Sequence, residues 1–180
     1  MSRFPSHTVE DAPEGSRALL LKIAQSSPTG RPLNLHAQLA HSPAVLAQYA
    51  SLRAATEQGV LDHKVSWALN LATAGVTGNA YMIGIARRFA GMSGWNEAEI
   101  AALWTGNSSG DAKVDALATV AREATAHSGK VTDGTWSAAL QAGWNDTQLA
   151  EAFAYIGLTL FTGYFLNYAQ TEVDGRPGPT

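Results

Sequence analysis

Leu61-Asp62-His63-Lys64-Val65-Ser66-Trp67, then Asn79-Ala80-Tyr81-Met82, Ala86 and Gly94-Trp95-Asn96-Glu97-Ala98-Glu99-Ile100 form the stretch that decides how this chain is read. Asp62 is a short acceptor placed ahead of Val65, Leu69 and Ala72 at helical spacing, which predicts a helix capped at Asp62 and ending near Gly75. Thr77-Gly78-Asn79 opens a second helix through Tyr81, Met82, Ile85, Ala86 and Phe89, and Gly91 to Gly94 closes it. Asn96 caps a third, with Glu97 and Glu99 in the first turn, where carboxylates favour the positive end of the helix dipole. That helix stops at Gly106-Asn107-Ser108-Ser109-Gly110.

Outward from this stretch the same grammar holds. Ala18, Leu19, Leu20 and Ile23 predict a short first helix that Ser26 to Pro32 breaks, with a further helical turn around Leu33 to Leu39. Ser42-Pro43 is an N-cap and first-turn pair for Val45, Leu46, Tyr49 and Leu52, in a helix reaching towards Gly59. On the other side an amphipathic helix runs from Asp111 to about His127, with Val114, Leu117, Ala118, Ala121 and Ala124 on one side. Asp133 is expected to cap Trp136 to Ala142, with Gly143 ending that helix, and Asn145 to cap a long last helix from Thr147 to about Gln170. No segment alternates as a strand does. The expectation is an all-α helical bundle, one domain over 1–180, with 1–32 as an N-terminal extension, 175–180 as a flexible tail and no internal repeat.

The chain has 180 residues, 46% of them hydrophobic, which suits one domain with a real core. A formal charge of −3 with Lys and Arg scattered gives no field for nucleic acid or an anionic membrane, so neither is expected as a partner. Met1 to Pro5 is followed by polar residues with no apolar run, and a cytoplasmic protein is expected. Phe153 to Tyr168 is almost uncharged but shorter than the ~20 residues of a bilayer span, so it reads as a buried or subunit-interface helix. With no cysteine, disulfides and thiolate metal sites are excluded. His36 and His41 are poorly spaced for a shared metal, and neither a P-loop nor a dinucleotide fingerprint is present, so no metal and no cofactor are expected.

The quoted stretch resembles the alkylhydroperoxidase D-like and carboxymuconolactone decarboxylase superfamily, in particular its longer peroxidase-related branch. That branch has the pattern Leu-Asp-x-Arg-x-Arg-Glu, a Cys-x-Tyr-Cys-x-x-x-His motif twelve residues on, and a Gly eight residues after the His. Without a gap, Trp67 falls on the Glu, Asn79 and Met82 on the two Cys, and Ala86 on the His. Leu39-Ala40-His41-Ser42-Pro43, Ala139 to Gly143 with Asn145-Asp146 and Glu151, Phe161 to Asn167, and Thr171-Glu172-Val173-Asp174 resemble further segments of the branch in the same order. Gly163, Leu166 and Asn167 depart from it, standing where the branch has Asn, Asn and His. The resemblance covers about Leu33 to Asp174. It implies an alkylhydroperoxidase D-like bundle assembled as a homo-oligomer, a dimer, trimer or hexamer.

The family's peroxide chemistry needs a thiolate nucleophile and a resolving thiol, and this chain has neither. The Glu and His that would support the thiol are missing from their positions as well. The leading expectation is therefore a cofactor-free, thiol-independent enzyme acting on a small organic molecule by acid–base or decarboxylase-like chemistry. The alternative is a non-catalytic small-molecule-binding or scaffold homologue. Peroxidase or disulfide reductase activity, which the family label implies, is third and is disfavoured by the absence of cysteine.

The candidate catalytic residues are Tyr81 as proton donor, Asn79 as anchor for an oxyanion or carboxylate, and His63 as general base. Trp67, Asn70, Met82, Ala86 and Arg87 are the candidate substrate-binding set. Each has a plainer reading. Asn79 could cap its helix, Tyr81 could pack with its hydroxyl on backbone or water, and His63 could be a solvated first-turn residue. Trp67 could fill the core, Asn70 could be satisfied locally, and Arg87 could lie on a solvated face.

Overall fold

The computed structural model describes residues 2–27 and 29–174, and the expected tail at 175–180 lies outside the described residues. Among the described residues there are nine α-helices and no strand: α1 (Glu14–Ser26), α2 (Asn34–Leu39), α3 (Pro43–Thr56), α4 (His63–Thr77), α5 (Ala80–Met92), α6 (Glu97–Thr105), α7 (Ala112–Ala126), α8 (Asp133–Gln141) and α9 (Asp146–Ala169). The all-α expectation holds. The chain divides into two compact units, Met1–Ala54 with Tyr164–Thr180, and Ala55–Gly163.

The first unit is organised around α2, whose residues Leu35 to Leu39 are all buried. Gln38 is the polar member, and burying an amide requires partners. Its Nε2 donates to Phe4 O (3.0 Å), and Thr171 Oγ1 donates to its Oε1 (2.6 Å). Asp174 accepts from Asn34 N (2.9 Å), supplying the acceptor that Leu33 cannot give at the helix N-terminus. Ser16 Oγ donates to Ala40 O (2.7 Å). His36 is also buried, with Nε2 3.3 Å from Tyr49 Oη and, among the described residues, no hydrogen bond at Nδ1. Burial, and secondarily the charge of Arg53, push its pKa from 6.5 down to about 4.

In the second unit α4 is the central element, buried at Val65, Ser66 and Ala68 to Ala74, and packed on α5, α6 and α7. Its end corrects the sequence reading. The helix continues past Gly75 to Thr77 and stops at Gly78, whose φ of +66° is the left-handed cap that glycine favours. Gly75 has another purpose: a Cβ there would overlap the Trp104 carbonyl and lie 2.9 Å from Trp104 Cδ1. Before α4, Glu151 from α9 accepts from Val60 N (2.7 Å) and Leu61 N (2.9 Å), holding the turn that delivers Asp62 to its capping position. The α8 cap is Thr132, which accepts from Thr135 N (3.3 Å), and Asp133 is the first helical residue.

An internal repeat, not apparent from the sequence pattern, runs through this unit. Asp62 and Asp111 cap α4 and α7 by accepting from Val65 N (2.8 Å) and Val114 N (3.1 Å). Lys64 Nζ lies 4.2 Å over Trp95, and Lys113 Nζ lies 4.6 Å over Trp144. Each indole N–H donates back to the carbonyl of that lysine, at 2.8 and 2.7 Å, across the same 31-residue separation. Trp95 N and Trp144 N donate to Ala90 O and Ala139 O, after Gly94 and Gly143 at φ +100° and +90°. Asn96 and Asn145 then cap α6 and α9, with Glu99 and Gln148 bonding back to the cap N–H at 2.8 and 3.2 Å. Every counterpart is shifted by 49 positions (62 and 111, 64 and 113, 95 and 144). The match fails between α7 and α8, where a longer loop replaces the tight α4–α5 turn.

Candidate functional site

The α4 stripe of His63, Trp67, Asn70 and Ala74 runs from solvent into the core. His63 is exposed, and among the described residues no hydrogen bond to its ring is formed. Trp67 is half-buried and stacks on Phe89 of α5, with centroids 4.8 Å apart and planes 11° from parallel. Asn70 is 8% exposed, and both ends of its amide have partners. Nδ2 donates to Ser66 O (2.9 Å), and Oδ1 accepts from Thr159 Oγ1 of α9. Ala74 is fully buried.

Asn79 is the N-cap of α5, accepting from Met82 N at Oδ1 (2.8 Å). Its Nδ2 donates to Gly163 O of α9 (3.3 Å). A Cβ at Gly163 would make ordinary van der Waals contact with Met82 Cγ (3.6 Å) and Asn79 Cβ (4.0 Å). Asn79, Met82 and Gly163 are thus brought together, all three buried. Tyr81 is 5% exposed on the same first turn. Ala86 has no exposed surface and belongs to the core cluster of this unit. Arg87 instead lies outside, paired with Glu97 (2.9 Å) and with its guanidinium 5.9 Å from the Trp104 ring.

Sequence reading missed the polar seam that α9 lays against α4. Tyr155 Oη donates to Thr56 O (2.8 Å), and burial, then the nearby Glu151 carboxylate, raise the pKa of its phenol, so it stays a donor. Thr159 Oγ1 is within reach of both Asn70 Oδ1 and Tyr155 O (2.9 Å). Tyr155 and Thr159 stand four apart in an otherwise apolar run, and that spacing was the available signal. By length and composition α9 is apolar enough to cross a membrane, yet Leu149, Ala152, Tyr155 and Ile156 are buried in the protein core.

No family model and no curated protein matches the sequence. Solved structures do match in fold. An uncharacterized peroxidase-related protein with an alkylhydroperoxidase AhpD core, from Ralstonia eutropha JMP134, superposes with TM-score 0.82 at 15% identity, covering 97% of this chain and 93% of that one. A peroxidase-related protein from Silicibacter sp. TM1040 gives TM-score 0.77 at 12% identity over 97% and 96% of the two chains. The debrominase Bmp8 in complex with 2,3,4-tribromopyrrole gives 0.76 at 12% identity over 97% and 95%. At these identities the likeness establishes architecture. This chain has the alkylhydroperoxidase D-like fold, in a form without a single cysteine.

Proposed function

We propose that this protein acts on a small organic molecule without thiol chemistry, and the observation that carries this reading is an alkylhydroperoxidase D-like fold on a cysteine-free chain. Met82 and Ala86 make the corresponding helix face apolar and unreactive, so a substrate there would be held by shape and burial. Tyr81 is the proton donor of this reading, giving its phenolic proton to an oxygen that gains charge, and His63 is the general base. Asn79 is the anchor of this reading, its amide lying at the N-terminus of α5, where Oδ1 closes the helix cap. A compartment such as the cytoplasm and self-association belong to the same proposal. Met92 and Phe153, 73% and 65% exposed, are apolar groups that a second copy would cover.

A non-catalytic binding protein is the second reading, favoured by the structural use of the Asn70 and Asn79 amides. The full chain titrated with 2,3,4-tribromopyrrole, followed by tryptophan fluorescence and by mass spectrometry of the mixture with ascorbate present as a thiol-free reductant to take the bromine off as bromide, separates the two. Binding with turnover that Tyr81→Phe abolishes supports the enzyme. Binding without turnover supports the binder. Peroxide consumption driven by dithiothreitol would overturn thiol independence and both readings with it.

A further inference from the structure

A cavity of about 180 Å³ lies between the end of α6 and the middle of α7, lined by Leu103, Gly106, Asn107, Asp115, Thr119 and Arg122 among others. None of these residues belongs to the candidate site above. At roughly 30 Å³ per water it has room for about six non-hydrogen atoms.

Arg122 is its distinctive group. Nη2 spends both its protons on the last-turn carbonyls of α6, Leu103 O (2.6 Å) and Trp104 O, where a cation suits the negative end of the helix. The Nε–H and both N–H groups of Nη1 make no hydrogen bond among the described residues. These atoms lie against Gly106, where a Cβ would come within 3.1 Å of Nε and 3.3 Å of Nη1, so the missing side chain gives the guanidinium its place. Arg122 is only partly exposed, and no carboxylate lies within ion-pair distance of it among the described residues.

Asp115, two helical turns earlier and roughly 10 Å away along the axis, is the nearest acid in the lining. Its oxygens are taken by Ser108 Oγ (2.7 Å), Ser109 Oγ (2.6 Å) and Ser109 N (3.0 Å). Asn107 Nδ2 donates once, to Thr105 Oγ1 (3.0 Å), and keeps a second N–H. A partly buried cation without a counter-charge has lost some of its hydration, and an anion that accepts its remaining protons offsets that loss.

We propose that this cavity binds a small carboxylate, with Arg122 as its principal donor and Asn107 as a second. The small volume suits short ligands and Asp115 disfavours dianions, so short monocarboxylates fit best. The test is an NMR titration of the ¹⁵N-labelled full chain with acetate and, separately, acetamide, at ionic strength held constant with sodium chloride. Acetate is expected to give saturable shifts at the Gly106, Asn107 and Ser108 amides and at Arg122 Nε–H, with a Kd on the order of millimolar, while acetamide gives none.

Arg122→Lys keeps a cation near the α6 carbonyls and should weaken acetate at least about tenfold. Thr119→Leu fills the cavity from an exposed helix position without touching the Arg122 bonds, and should abolish the shifts even if Arg122→Lys does not fold. Shifts with acetate no larger than with acetamide or chloride would overturn the proposal. So would undiminished acetate binding in Thr119→Leu.

Discussion

Thr159 of α9 donates its hydroxyl to the side-chain oxygen of Asn70 on α4, with Thr159 2% and Asn70 8% exposed. An unpaired amide oxygen at such depth costs about 1–3 kcal/mol. Thr159→Val should therefore lower stability by roughly 1–3 kcal/mol in urea unfolding. Adding Asn70→Leu removes the stranded partner, so the double variant should lose less than the sum of the two single losses, with a coupling on the order of 1 kcal/mol. Strictly additive losses would mean that the two side chains do not depend on each other.

Two glycines of the second unit should respond to alanine with opposite signs. At Gly75 the new methyl meets the Trp104 backbone, which cannot swing aside, so Gly75→Ala should cost about 1–3 kcal/mol or more, read as a clear fall in Tm. At Gly163 it meets Met82 Cγ at an ordinary 3.6 Å. Gly163→Ala should be neutral or stabilise by up to about 1 kcal/mol through helix propensity.

His36 makes stability depend on pH. Its folded pKa of about 4 lies below the 6.5 of an exposed histidine, so between these values the unfolded chain binds the proton more readily. The contribution is full above pH 6.5 and is lost as pH falls towards 4, on the order of 3 kcal/mol in all. Urea midpoints across this window should fall with acid in the natural protein. In His36→Phe the slope should flatten.

The paired tryptophans should behave alike because each repeats the other's bonds. Trp95→Phe and Trp144→Phe each remove an indole donor from a lysine carbonyl and shrink the ring beneath the lysine ammonium. Each should destabilise by about 1–3 kcal/mol, the cost of a lost hydrogen bond together with lost ring volume. Thermal unfolding of the two variants side by side checks this; a large cost at only one position would show that the repeat is geometrical without being energetic.

Much of the helical layout was legible because helix caps act over three or four residues. Asp62, Asn96 and Asn145 were identified as caps from sequence, and each accepts the N–H that its position predicts; Asp111, read as the start of its helix, and Asn79, for which capping was the plainer of two readings, are caps as well. Thr132 was passed over for Asp133 because both are good caps, and the choice depends on Glu123 holding Thr132 N (3.0 Å). The repeat stayed hidden because its equivalent helix faces differ, Trp67 and Asn70 against Ala116 and Thr119, while its shared bonds span 31 residues.

The sequence by itself determined that the chain is helical, where most helices begin, and that no thiol can serve it, since these follow from local hydrogen-bonding geometry and from composition. Only the tertiary structure decided that Gly75 is a contact and not a stop, that Asn70 is bonded to Thr159, and that Arg122 keeps three protons unused. Those outcomes depend on which atoms meet across separations of 18 to 89 residues, and packing fixes such meetings where periodicity carries no record of them.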